Sequence, residues 1–368
     1  MNINPFKAVF PKVDLITSPK SFFASIKYQY REYRASGVYS ARTDEAYYIY
    51  QVNSAFGSHT GILCGTSVDD FRSKKILPHE GTLAMKEQQM MHLLLKRKAL
   101  VKPVLLGYHP IDNLHEELMQ KTLESDPEIH VIFENNEEEH KIWVIKDEDF
   151  MNKIRDSFAQ LNAAYIGDGH HRTTTVALLN ASKDLGEDAK KYKNLLTAYF
   201  PFEQLNILDF NRVVDISDIM PSSNFMAELS RFFTIKVIKN PRKPKKKHDL
   251  TMLIDGQWYL MKWKKKYTSL KTDSGVLLDS DLINKYIFDG VLHIKDIRTD
   301  NRIKYFGGTE PMEKLIRQTN KFKNGVGLCI YPVAIDELTK VADHHMTLPP
   351  KSTWFEPRLR SGIIAKDL

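Results

Sequence analysis

The sequence predicts an α/β chain of the mixed α+β kind, and three features of it do so. Strand-like runs of β-branched and aromatic residues alternate along its length with helix-like runs rich in Leu, Met, Glu and Lys. Hydrophobic residues make up 42% and charged residues 27%, the balance of a chain that buries a core. At 368 residues one large or two medium domains are expected. The best cut falls near 212–222, around Pro221-Ser222-Ser223, which makes 1–215 a first region and 216–368 a second α/β region.

The elements follow in order. Residues 45–65 predict two strands around a polar turn at Gly57-Ser58. MKEQQMMHLLLKRK (85–98) has helical composition, and KPVLLGYHP (102–110) is a buried strand ended by a turn. NLHEELMQKTLES (113–125) is an amphipathic helix, and 129–147 is a hairpin with Asn135, Asn136 and three glutamates at its tip. DFMNKIRDSFAQL (149–161) is another helix, which leads into YIGDGHHRTTTVALL (165–179), where a short apolar strand becomes a helix. Strand material fills 194–214. Beyond it come a helix (224–233), a strand (234–239), a basic loop, a hairpin (250–263), helices at 279–288 and 311–321, GVGLCIYPV (325–333), and a last helix at 335–342.

Composition narrows the function. No window approaches the roughly 18 uninterrupted apolar residues of a membrane span, and the first residues lack the pattern of a signal peptide. Cys64 and Cys329 fit no zinc spacing, so a cytoplasmic protein is expected. Much of the net charge of +7 sits in 240–250 and 261–271. Trp258, Tyr259, Trp263 and Tyr267 among those lysines could stack on bases, but a β-hairpin with one charged face accounts for them more simply. There is no helix-turn-helix with a basic recognition helix, so nucleic acid is not the expected partner.

Three stretches carry possible chemistry. In GDGHHRTTT, Gly167 and Gly169 permit a sharp turn, and the helix start offers unpaired N–H groups to an anion. Arg172 adds a fork matched to phosphate oxygens, and His170, His171 and Thr173 add further donors. Adjacent helical residues point about 100° apart, which disfavours a metal shared by the two histidines. A dinucleotide fingerprint would need glycine where Arg172 stands. Phosphate binding is the better reading, with Asp168 as a mere helix cap the bland one. In LPHEGTLAMKE, Glu80 before a helix suits a general base or a ligand of phosphate-bound Mg²⁺, though taken alone the stretch is better read as Glu80 or Thr82 only capping the helix. In the proline-stiffened tail (346–368), Lys351-Ser352-Thr353 is either phosphate chemistry or part of a closing strap, and the residues alone leave both open.

With these three stretches together, in this order, the chain resembles a bacterial and archaeal family catalogued as a domain of unknown function. That family resembles the free serine kinases of ParB/sulfiredoxin-like fold. The matching residues are Pro78-His79-Glu80 with Lys86-Glu87, Asp168 to Arg172, and Pro350 to Thr353. Segments at 48–50, 103–108, 211–214 and 351–357 extend the resemblance over nearly the whole chain. It implies a ParB/sulfiredoxin-like catalytic core in the first region, with the tail a candidate to complete its active site.

The resemblance also implies roles. Glu80 would deprotonate serine, and Asp168 would orient the hydroxyl or a Mg²⁺. Gly169, His170, His171, Arg172 and Thr173 would hold the donor, with Lys351, Ser352 and Thr353 closing over it. His79, Thr82 and Lys86 would stand on the substrate side. Leu83, Gln89, Met90 and the segment PKVDLITSPKSF (11–22) depart from the family pattern, all on the acceptor side. The function expected is a phosphotransferase making O-phospho-L-serine from free L-serine, with pyrophosphate as donor and ATP or ADP next. The alternatives are the same site run towards serine and a ParB-like nucleic-acid or nucleotide-binding protein.

Overall fold

The computed structural model describes residues 1–133 and 138–368, so the predicted hairpin tip at Asn135 and Asn136 lies outside the described residues. The chain forms two compact units, Met1–Asn206 with Phe355–Leu368, and Ile207–Trp354. The last residues therefore belong to the first unit, whereas Lys351, Ser352 and Thr353 belong to the second. No helix among the described residues is long and apolar enough to cross a membrane.

The first unit is built on a mixed sheet. Its elements are α1 (Pro19–Ala35), β1 (Tyr47–Ser54), β2 (Gly57–Ser67), β3 (Ile76–Leu77), α2 (Ala84–Arg97), β4 (Val104–Tyr108), α3 (Leu114–Thr122), β5 (Ile129–Phe133), β6 (Glu138–Ile145), α4 (Glu148–Ala159), β7 (Ala164–Asp168), α5 (His170–Ala181) and β8 (Asn194–Pro201). The strand order is β3-β7-β4-β8-β2-β1-β6-β5. β7 runs parallel to β3 and antiparallel to β4, β8 runs parallel to β4, and the pairs from β8 through β2, β1 and β6 to β5 are antiparallel.

Local sequence explains these elements. Tyr47 to Tyr50 are buried on both faces, as expected of an interior strand with an apolar run. In α4 the Asp147 carboxylate accepts from Phe150 N at 2.8 Å and caps the helix, and Phe150, Ile154 and Phe158 recur at the helical period and are buried. The predicted strands and helices of this unit all form. The helix α1 is not among the predicted elements. Its Phe and Tyr content favours strands, yet Ser18 followed by Pro19 at the first helical position is a start signal that marks it.

The second unit carries an antiparallel sheet. Its elements are β9 (Phe210–Asp215), α6 (Ser222–Leu229), β10 (Phe233–Ile238), β11 (Asp249–Ile254), β12 (Gln257–Trp263), β13 (Ile303–Gly307), α7 (Met312–Thr319), β14 (Gly325–Cys329) and α8 (Ile335–Asp343). The order is β10-β12-β11-β14-β9-β13. The predicted helix at 279–288 is a short α-helix at Asp279–Leu282 that widens into π-turns over Ile283–Asp289. The predicted hairpin is β11 and β12, turning at Asp255-Gly256. Trp258 and Trp263 are only 5% and 7% exposed, and Trp263 packs with Phe233, Leu229 and Met261 in the core. Aromatic burial thus takes away the two tryptophans that suggested base stacking.

Candidate functional site

The strand-to-helix turn at 165–173 is the centre of the site. β7 lies between β3 and β4, and its pairing with β4 shifts register between Ile166 and Asp168. That irregularity falls at Gly167, where an added Cβ would stand 3.0 Å from Leu105 and 3.1 Å from Phe355. Gly169 starts α5 at φ +118, a conformation that an L side chain rarely adopts. No side chain caps α5, so its first N–H groups stay open to an anion. Thr173 spends its hydroxyl on the Gly169 carbonyl at 3.2 Å, closing the first turn.

Asp168 does not cap this helix. Its Oδ2 accepts from Lys102 Nζ at 3.0 Å and Arg172 Nη2 at 3.1 Å, and Arg358 Nη1 lies 3.9 Å from Oδ1. Burial by itself would raise the Asp168 pKa, but Arg172, Lys102 and Arg358 together hold it far below the usual carboxylate range. Three cations around one carboxylate leave a net positive cluster. Lys102 has its own pKa lowered, first by burial and then by Arg172, with Asp168 opposing. Arg172 Nη2 also bonds the carbonyls of Pro103 and Asp168, each at 3.2 Å, which folds the guanidinium back over Gly169. An added Cβ at Gly169 would meet Arg172 Nη2 at 2.7 Å. Two buried nitrogens here, Arg172 Nε and His171 Nδ1, have no hydrogen-bond partner among the described residues. Such groups are costly unless a ligand satisfies them.

Glu80 approaches from the segment between β3 and α2. Neither Glu80 nor Thr82 caps α2, because Leu83 is its N-cap residue and makes no side-chain cap. The Glu80 side chain is 38% exposed, with Oε2 3.7 Å from His170 Nδ1. His170 accepts the backbone N–H of His79 on Nε2 at 3.3 Å, and burial holds its pKa down to about 3. With Nε2 an acceptor and the ring neutral, the proton sits on Nδ1, the nitrogen that lies 3.7 Å from Glu80 Oε2 and so beyond direct hydrogen-bond reach. His170 therefore faces the carboxylate side of the site. His79 is buried edge-on to His170 at 4.5 Å, its imidazole bonded to the Ile166 backbone, and its pKa is pushed well down by burial. It anchors the Glu80 segment to β7. Lys86 and Glu87, in the first turn of α2, are near enough to act on His171, whose pKa is lowered by burial and then by Lys86.

Among the expected residues, then, the first unit brings together His79, Glu80, Asp168, Gly169, His170, His171 and Arg172. Lys102 and Arg358 join them, and no sequence motif assigns either to the site. Lys102 opens the predicted strand at 102–110, beside the family-like segment 103–108, which carries no site role. Arg358 stands beside the tail motif, two residues from Glu356, whose carboxylate accepts its backbone N–H at 3.1 Å. Within the second unit, Ser352 is buried, donates to Pro349 O at 2.7 Å and pairs with Ser280 Oγ at 3.0 Å. Lys351 lies over the Phe210 ring at 5.4 Å, and its carbonyl accepts from the buried Arg212.

For Mg²⁺, the donor set is a poor match. Asp168 Oδ2 is already taken by Lys102 and Arg172, and no group of three His, Cys, Asp or Glu among the described residues is placed to hold a metal, which leaves Glu80 as the single carboxylate that could meet a phosphate-bound ion.

Residues 4–282 match the family model described as Protein of unknown function (DUF1015). The chain belongs to that family. No curated protein matches the chain. Among solved structures, SbnI with C-terminal truncation from Staphylococcus aureus is similar with a TM-score of 0.41 and 13% identity, over 82% of this chain and 87% of that one. A free serine kinase in complex with AMP gives 0.39 and 10%, over 82% and 92%. A conserved hypothetical protein from Pyrococcus furiosus gives 0.36 and 10%, over 82% and 95%. Likeness at TM-scores this low says nothing about the chemistry of this chain.

Proposed function

We propose that this DUF1015-family chain is a phosphotransferase that converts free L-serine to O-phospho-L-serine, with pyrophosphate as the donor to test first and ATP or ADP next. One observation carries the reading. An uncapped helix N-terminus, a buried Arg172 Nε without a partner among the described residues and a net-positive cluster meet at Arg172, while a carboxylate, Glu80, stands beside neutral His170 at the same turn. The first set suits a phosphoryl group; the second suits proton removal from a hydroxyl.

In the proposed reaction Glu80 takes the hydroxyl proton as the serine oxygen bonds to phosphorus. The bond from that phosphorus to the bridging oxygen breaks, and inorganic phosphate leaves. Arg172, Lys102, Arg358 and the first N–H groups of α5 balance the negative charge on the transferring group, the larger part of such catalysis. Asp168 keeps the three cations in place, and His170, held neutral by burial, stands beside Glu80 without a charge to pair with its carboxylate. Because the Mg²⁺ donor set fits poorly, no step runs through a protein-held ion. The metal is varied in the assay as the donor's counter-ion.

The test is to incubate the full chain with L-serine and pyrophosphate, ADP or ATP, with and without Mg²⁺, and to read phosphoserine by mass spectrometry. Phosphoserine plus phosphate is assayed alongside, since the same groups stabilise the same transition state in reverse. Folded protein that forms no product with any donor in either direction refutes the reading.

A further inference from the structure

A second cavity lies in the first unit, on the side of Lys102 that faces α1. It has a volume of about 610 Å³, within the range of small-ligand sites. Lys20, Lys27, Lys102 and Arg360 line it, with the hydroxyl-bearing Thr17, Ser18 and Ser361 and an apolar floor at Phe23 and Phe133. No described carboxylate is among its lining residues. Lys20 and Lys27 are exposed and form no ion pair among the described residues. The segment PKVDLITSPKSF, where the sequence departs from the family pattern, supplies one wall.

Arg360 is held by a relay that reaches into the core. Its Nε donates to Glu138 Oε1 at 3.0 Å, and its Nη2 donates to Glu138 Oε2. His140 Nε2 donates to Glu138 Oε1 at 2.7 Å, and the Tyr50 hydroxyl donates to His140 Nδ1 at 2.7 Å. His140 and Tyr50 are 0% and 1% exposed. The guanidinium also lies 5.0 Å from the Phe133 ring centre. Maintaining a buried carboxylate and imidazole is expensive, and a hydrophobic replacement is often no less stable. What the relay achieves is a fixed guanidinium plane at the cavity wall, the arrangement by which a binding site is held in one geometry. Across the cavity Lys102 is fixed in the same way by Asp168.

We propose that this cavity binds a small organic anion with two or more negative charges, a phosphorylated or polycarboxylate hydroxy acid, separately from the phosphate at Arg172. Two fixed cations set its orientation, and the exposed Lys20 and Lys27 complete its charge. Lys102 stands between this cavity and the Arg172 end, but Lys20, Lys27 and Arg360 have no part in the phosphotransfer reading. Absence of turnover leaves it standing, and absence of anion uptake leaves the Arg172 end standing.

The test is calorimetric titration of the full chain with O-phospho-L-serine, citrate and pyrophosphate in turn. Uptake of citrate, or uptake of O-phospho-L-serine that persists in Arg172→Ala, supports the site, and which one binds assigns its chemistry as phosphate or polycarboxylate. Lys20→Glu combined with Lys27→Glu, both on the exposed rim and harmless to folding, is expected to weaken that uptake by roughly tenfold or more while pyrophosphate binding stays within about threefold. Arg172→Ala is expected to do the reverse. Arg360→Lys keeps the charge but loses the fork, and should weaken the organic anion selectively. Wild-type protein that takes up neither organic anion, or a double variant that binds as the wild type does, overturns the proposal.

Discussion

Gly169→Ala probes the start of α5 most sharply. Gly169 sits at φ +118, and holding an alanine there costs roughly 1–3 kcal/mol of strain. The new Cβ would lie 2.7 Å from Arg172 Nη2 and 3.0 Å from its Cζ and Nε, so the guanidinium must move off Asp168 Oδ2. Those side chains are 23% and 26% exposed, so loss of their pairing adds at most about 1 kcal/mol after screening. A total near 2 kcal/mol lowers the melting temperature by roughly 4–8 °C for a unit of this size. The displaced guanidinium should also weaken pyrophosphate binding by roughly tenfold. Gly81→Ala is the control, because nothing lies within 4 Å of its added Cβ and its backbone is not left-handed. Differential scanning fluorimetry and pyrophosphate titration of both variants give the answer. If Gly169→Ala melts and binds as Gly81→Ala does, the turn is not what places Arg172, and the donor site is misassigned.

Other outcomes rest on the same geometry. Glu80→Gln should lower turnover by roughly 10²–10⁴-fold in the mass-spectrometric assay while pyrophosphate affinity is kept; near-normal turnover would remove Glu80 as the base. The His170 ring, held down at about 3 by burial, should show no NMR titration between about pH 5 and 9. Its folded-state pKa lies below its ordinary value of 6.5, so the first unit should lose stability as pH falls from about 6.5 towards about 3, and His170→Gln should flatten that part of a denaturation series. For Glu138 burial pushes upward, but His140 and Arg360 outweigh it and hold the carboxylate at about 2, against an ordinary 4.5. A depressed carboxylate stabilises above its unfolded pKa, so about 3 kcal/mol should be lost as pH falls from 4.5 through 2. Urea unfolding at pH 5 and pH 3 should show a smaller change for Glu138→Gln than for the wild type.

Much of this protein is legible in its sequence because the physics involved is local. Period-two and period-3.6 patterns mark β1, β2, α4 and most other elements, and the double glycine of GDG marks the strand-to-helix turn. That turn, with Arg172 a single helical turn beyond Asp168, already indicates an anion site. Local signals also mislead. The aromatic content of α1 hides the longest helix of the first unit, since side-chain preference for strands yields to burial of Phe23, Ile26 and Tyr30 on one helical face.

Only the tertiary structure decides what the charged residues do. Lys102 reaches Asp168 because β4 pairs beside β7, and Arg358 reaches it because the chain returns to the first unit at Phe355. His170 looks like a phosphate ligand in one dimension. Packed against His79 it is a neutral ring beside Glu80, because burial removes its proton and a backbone N–H fixes its tautomer. The relay from Tyr50 through His140 and Glu138 to Arg360 joins residues far apart in the chain, and no spacing rule connects them. Sequence determined a glycine-led helix start with an arginine one turn on; long-range burial and pairing determined which charges stand around it, because only the folded chain brings Lys102 and Arg358 to Asp168.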